Sequence, residues 1–183
     1  MDEHKSWAIK NEAVLEDLVT LMGLTNDEKA LLASLKGKAE GFTGKLVDSF
    51  YERLLKYPNT SEYVGDKVEH LRKSLSGWFV ELFSGDYGQE YVQSRLKIGK
   101  THVRIGLPVR YPLAMMDVVI KYGHEVAEQS DNQAKAKEAF SKLLALDIAI
   151  FNQAYEDSQL RHLAEMVGNE RLARRLLTQE AQI

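Results

Sequence analysis

The sequence predicts an all-α fold, and three observations carry that prediction. Apolar residues recur at helical spacing through almost the whole chain. No stretch alternates apolar and polar residues as a half-buried strand would. The three prolines, Pro58, Pro108 and Pro112, fall where the periodicity breaks. At 183 residues the chain is most simply one domain, long enough to bury a sizeable core.

Trp7, Val14, Leu15, Leu18, Leu21 and Met22 predict an N-terminal helix over 5–22, closed by Gly23. Thr25 and Glu28 then have capping-box spacing and open a helix to about residue 36. Gly37, Gly41 and Gly44 read as a turn. A third helix over 43–57 carries Val47, Phe50, Tyr51, Leu54 and Leu55 on one side and ends at Pro58. Asn59, Thr60 and Ser61 are expected to cap one long helix to residue 83, with Val68, Leu71, Leu75, Trp78, Phe79 and Leu82 inward. Ser74 and Gly77 fall on its buried side. They either leave room for a group other than side chains or allow close helix packing.

Ser84, Gly85 and Asp86 break the chain before a helix over 87–105. This helix holds His102, with Ile98 a turn before it and Ile105 a turn after; Gly106 and Pro108 stop it. Pro108 and Pro112 fit the first turn of the next helix, where a missing amide donor costs least. That helix extends to about residue 130, with Met115, Val118, Val119 and Tyr122 inward. Asn132 caps the last long helix, which is apolar around nearly its whole circumference over 140–151. A helix apolar on all sides is covered on all sides, and a second subunit is the expected cover. Residues 160–183 turn charged and read as a helical tail or linker with weak coiled-coil register.

Apolar residues make up 44% and charged residues 28%, the balance of a soluble globule. A net charge of −3 and a pI near 6.0 argue against nucleic-acid binding. The absence of cysteine removes disulfides, thiolate metal sites and cysteine nucleophiles. The polar N-terminus is no signal peptide, and no apolar run approaches the roughly 20 residues of a membrane helix. A cytoplasmic location is expected.

Of the histidines, His4 and His162 lie in polar terminal surroundings. His70 points sideways or outward, and His124 belongs to a polar face. Only His102 sits in an apolar stripe. Such a histidine is more often a packed core residue than a ligand. It has no histidine at i+3 or i+4, so a zinc or di-iron motif is unsupported. A lone imidazole does suffice for a heme, because the porphyrin supplies four of the iron ligands. Tyr51, on the apolar side of its helix, is a candidate donor to a bound gas. The alternative is a buried tyrosine bonded to a backbone carbonyl, and spacing does not choose. Asp147, within the apolar stretch of the last helix, caps or pairs across a subunit interface, or faces solvent. No phosphate-binding glycine loop, nucleophile elbow or paired catalytic carboxylates are present.

The runs DSFYERLLKYPNTSEYV and LRKSLSGWFVELFSGDYGQEYVQSRLKIGKTHVRIGLP resemble the heme domain of globin-coupled sensors. The specific similarity covers about residues 48–111, and a looser one covers most of the chain. The resemblance implies a globin-like helical sandwich around heme b, with an extra N-terminal helix (1–23) and a long C-terminal helix, all in one sensor domain over 1–183. It implies His102 as proximal iron ligand, Tyr51 as distal donor to O₂ and Leu71 as a gating leucine. Ser74 stands where some members have threonine, a second donor, and others alanine. Leu75 and Ile98 are expected to line the heme faces. The resemblance further implies binding of O₂, CO and NO, a homodimer through the last two long helices, and an output domain in cis. IGLPVRYPLA looks more like sensors joined to diguanylate cyclases than those joined to chemotaxis receptors. The chain itself is then a sensor and not an enzyme. A heme enzyme such as an NO dioxygenase or peroxidase, and a heme-free helical dimerisation module, are the competing expectations.

Overall fold

The computed structural model describes residues 12–178, all of whose regular elements are helical. They are α1 (Glu12–Met22), α2 (Asn26–Ser34), α3 (Lys36–Lys56), α4 (Pro58–Val64), α5 (Val68–Glu81), α6 (Gln89–Arg104), α7 (Arg110–Ala114), α8 (Met116–Ala127), α9 (Gln133–Val167) and α10 (Glu170–Leu177). A short 3₁₀ turn, Gly65–Lys67, separates α4 from α5. Trp7 and the expected helix start at residue 5 lie outside the described residues.

The helix ends follow local chemistry. Gly23 closes α1 with a left-handed φ of 61°. Thr25 and Glu28 form the expected capping box: Thr25 Oγ1 accepts from the Glu28 amide at 3.2 Å, and the Glu28 carboxylate accepts from the Thr25 amide at 2.8 Å. Asn132 caps α9 by accepting from the Lys135 amide at 3.2 Å.

Four expectations about the elements are corrected. Gly37, Gly41 and Gly44 do not form a turn. They lie within α3, exposed, with open space where a Cβ would stand. Each costs about 1 kcal/mol against alanine, but Ala39, Leu46, Val47 and Tyr51 are buried on the other face and hold the helix. The long helix expected over 61–83 is two helices. Pro58 starts α4 rather than only ending α3, and Gly65, at φ 51°, ends it. Pro108 lies in the turn before α7, and only Pro112 is helical; the helix expected to run on to 130 breaks at Met115 into α7 and α8. The charged C-terminal segment, expected as a helical tail or linker, is largely helical over its described residues but folds back at Gly168. Gly168 adopts a left-handed φ of 70°, Asn169 caps α10, and α10 packs back on α9 with Ala173 fully buried.

The core forms around α9. Phe140 stacks on Phe83 with ring centres 5.3 Å apart, and Phe79 meets Phe83 edge-on at 5.6 Å. Leu143, Leu146 and Ile150 are fully buried with them. α1, α2, α6, α8 and α10 all pack on α9. Most of the apolar surface of this helix is thus covered within the chain, while Ala145 stays exposed and Ile148, Ala149 and Phe151 are half-buried. Among the described residues no helix is long and apolar enough to cross a membrane.

Glu28 ties the capping box to this core by accepting from Lys142 Nζ on α9 at 2.7 Å. Burial works against its charge, but Lys142 and the Thr25 donors outweigh burial and hold the carboxyl below its ordinary value of 4.5. A depressed folded pKa gives stability that is present above the unfolded value and lost as pH falls through the folded one. Glu28→Gln is expected to lower the melting temperature near neutral pH. The gap to the parent should close on acidification below pH 4.5, as measured by thermal melts across pH.

Candidate functional site

A cavity of about 270 Å³ opens between α3, α4, α5, α6, α7, α8 and α9. Its lining is mainly apolar, including Phe50, Leu54, Val64, Met116, Ile148 and Phe151. All six residues singled out from the sequence, Tyr51, Leu71, Ser74, Leu75, Ile98 and His102, lie on its walls. A wider cleft along α1, α9 and α10 is open and lined largely by charged and amide side chains, including Asp17, Lys100, Glu156 and Arg161. It offers no apolar slot.

His102 is fixed at both ring and backbone. Its Nδ1 lies 2.8 Å from the Ile98 carbonyl oxygen, one turn back on α6. A carbonyl only accepts, so Nδ1 carries the proton and Nε2 is left with a lone pair. Burial pushes the imidazole pKa below its ordinary value and so favours the neutral ring, against the Ile98 carbonyl, which pulls the pKa up. Phe151 of α9 meets the ring edge-on at 5.3 Å. The helix then stops at once. Leu107 N donates to the His102 carbonyl at 3.0 Å and Gly106 N to that of Val103 at 2.9 Å, the paired bonds of a Schellman motif. Gly106 takes the left-handed φ of 70° that the motif needs.

Tyr51 comes from α3 and is 5% exposed. Its hydroxyl makes no hydrogen bond to another described residue, so the backbone-carbonyl alternative does not hold. Burial raises its pKa to about 12, with Arg72 opposing, so the phenol stays protonated and able to donate. Val47, Tyr51 and Val64 form a small buried cluster with Leu71 and Leu75 packed against it. Ser74 donates to the His70 carbonyl at 3.0 Å. Gly77 is exposed with open space around it, and does not belong to the buried side as expected.

One group of lining residues was not placed in the pocket by sequence. Arg95 is 1% exposed and Asp147 4%. Arg95 Nε donates to Asp147 Oδ1 at 2.6 Å, and Arg95 Nη1 pairs with Glu81. The Tyr91 hydroxyl donates to the same Asp147 oxygen, and Trp78 Nε1 to the other at 3.2 Å. Burial opposes the charge on Arg95, but Tyr91, Asp147 and Glu81 more than offset it and raise its pKa. Asp147 therefore neither faces solvent nor waits for a partner subunit: it pairs inside the chain. A signal existed, since Arg95 is seven residues before His102 and a charged residue at that spacing shares its helix face.

Among the described residues no three His, Asp or Glu side chains gather around a possible metal. One neutral imidazole with its free nitrogen on a largely apolar slot does not fit a free metal ion. It does fit a metal already held by four equatorial nitrogens of a flat macrocycle. The donor set therefore fits heme, with His102 as the residue that would hold it.

An all-helical sandwich closed over such a slot defines a globin. The chain belongs to the Protoglobin family, whose model matches residues 11–161. Among curated proteins it is similar to the heme-based aerotactic transducer HemAT of Halobacterium salinarum, at 27% identity over 87% of this chain. The chain spans 36% of that protein's length. Its structure is similar to the globin domain of the Geobacter sulfurreducens globin-coupled sensor, with a TM-score of 0.72 and 29% identity over 76% of this chain and 96% of that one. The ferric globin domain of E. coli DosC shares the fold at a TM-score of 0.62 and 17% identity, over 77% of this chain and 99% of that one.

The site rests on the close approach of α6 to α9 at Gly99. A Cβ there would lie 2.6 Å from Ala154 Cβ and 2.7 Å from the Phe151 carbonyl oxygen. Gly99→Ala should cost about 1–3 kcal/mol as backbone is forced apart. Gly106→Ala meets open space but strains the left-handed backbone, at a cost of about 1–2 kcal/mol. Urea unfolding measures both costs. The two are told apart by the near-UV signal of the folded proteins, which only Gly99→Ala should perturb in the core.

Proposed function

We propose that this chain is the heme domain of a gas sensor. The observation that carries the reading is the pairing of two free groups on one apolar cavity: the Nε2 lone pair of His102 and the unbonded phenol of Tyr51. Heme b, when bound, supplies a ferrous iron with one open position for O₂, CO or NO. His102 holds the iron through Nε2. Its Nδ1 bond to Ile98 fixes the tautomer and ring plane and raises the basicity of the ligating nitrogen. Tyr51 donates to a gas ligand that carries partial negative charge, which O₂ does far more than CO. Leu71, Leu75 and Ile98 line the cavity; Leu71 would gate entry, and Leu75 and Ile98 would pack against the heme. Ser74 reaches a ligand only by rotating away from the His70 carbonyl.

A sensor domain must report occupancy to something else. We assign that output to a module in cis, of the diguanylate cyclase type on the resemblance of IGLPVRYPLA. The similarity to an aerotactic transducer supports a signalling role. We further assign a homodimer through α8 and α9, supported by the exposed apolar side chain of Ile120 on α8.

Purified protein should show a heme Soret band that shifts with O₂ and with CO. His102→Ala should keep the helical far-UV signal and lose heme; undiminished heme coordination in that variant would sink the ligand assignment. In Tyr51→Phe, loss of a hydrogen bond to a charged acceptor should speed O₂ dissociation roughly tenfold to a hundredfold, with CO dissociation little changed. Stopped-flow measurements decide, and an unchanged O₂ off-rate would remove Tyr51 from the role.

A further inference from the structure

The mainly apolar cavity wall is interrupted by the buried cluster around Asp147, which joins three helices. Trp78 and Glu81 come from α5, the helix of Leu71 and Leu75. Tyr91 and Arg95 come from α6, the helix of His102. Asp147 comes from α9, four residues before Phe151, whose ring touches the His102 imidazole. Three donors converge on the one Asp147 carboxylate. The Arg95 guanidinium also lies 3.9 Å from the Tyr91 ring centre.

Such a cluster is a poor device for stability, because desolvating two charges costs about what their attraction returns. It is a good device for register. Apolar side chains tolerate sliding of one helix on another, whereas bonds converging on one carboxylate permit a single arrangement. Arg95 lies two turns from His102 on the same face of α6, and Trp78 lies one turn beyond Leu75 on α5. A shift of α5 against α6 must therefore strain Asp147.

We propose that Arg95 and Asp147 are positioning residues for the iron–histidine bond, fixing the His102 helix against α5 through a shared carboxylate. They line the cavity wall and would act through His102. They set the height and tilt at which the imidazole is presented, and they tie that geometry to the wall on the gas side. Trp78, through Asp147, and Glu81, through Arg95, are the α5 ends of the tie. The inference rests on the heme reading above.

The test compares the parent protein with the double variant R95M/D147L, which replaces the ion pair by apolar groups and is expected to fold. Two readouts are taken. One is the Fe–His stretching band of the ferrous, gas-free protein by resonance Raman. The other is the proton signal of the His102 Nδ1–H in heme-free protein by NMR. A shifted Fe–His band, a moved Nδ1–H signal and an O₂ off-rate changed by roughly threefold or more support the proposal. A folded, heme-loaded double variant with the parental band and the parental Nδ1–H signal overturns it. If the double variant does not fold, Trp78→Phe combined with Glu81→Gln, which weakens both α5 ends, takes its place. This pair removes one donor, keeps a ring and takes the charge from Glu81, and a smaller band shift in it is supporting while a parental band is overturning. A parent protein that binds no heme refutes the functional reading, and this inference falls with it. A heme-binding parent with unmoved variants refutes only the positioning role.

Discussion

The structure depends on how closely α6 can lie against α9. Gly99 has no side chain to hold the helices apart, so the α6 backbone comes down on Ala154 and on the carbonyl of Phe151. That contact decides what surrounds His102, one turn further on. The Phe151 ring stands edge-on to the imidazole because the two backbones have already met. The buried Arg95–Asp147 pair sits at the same helix crossing, on the N-terminal side of Gly99. A bulkier residue at position 99 would widen the whole crossing and move the imidazole with it.

The cavity separates chemistry by wall. α6 presents a neutral nitrogen base whose proton is committed to the backbone. α3 presents a protonated phenol whose hydroxyl has no hydrogen-bond partner among the described residues. Between them the lining is largely aliphatic and aromatic, so neither group competes with water for its role. Burial favours both protonation states, lowering the pKa of the base and raising that of the acid, and it outweighs the Ile98 carbonyl and Arg72, which oppose it.

How much of this was legible in the sequence depended on the range of the interaction. Capping boxes and glycine stops are local, and Thr25, Gly23, Gly106 and Asn132 were readable from a few neighbours. His102 stood out because an imidazole breaks an apolar stripe, and Tyr51 because its stripe faces the same way; both line the cavity. The glycines of α3 misled because their solvent-facing position is set by partners, α5 and α8, far away in sequence. Asp147 was visibly out of place in an apolar helix. Its partners Trp78, Tyr91 and Arg95 are 52–69 residues earlier, beyond any local pattern. The apolar circumference of α9 was seen correctly, but the cover that α1, α2, α6, α8 and α10 give it within the chain was not. A helix at the centre of one small domain has the same surface as one shared between two.

The Schellman stop after His102 has a mechanical consequence. An ordinary helix end frays, and a load applied in its last turn is dissipated as loosened hydrogen bonds. Here the histidine carbonyl is itself one anchor of the closing turn, through Leu107. The carbonyl of Leu107 in turn accepts from the Tyr155 hydroxyl of α9 at 3.0 Å. The imidazole is therefore mounted on a short stiff bracket bolted to the longest helix in the fold. From the last turn of the His102 helix to the middle of α9 runs an unbroken path of hydrogen bonds, through Leu107 to Tyr155.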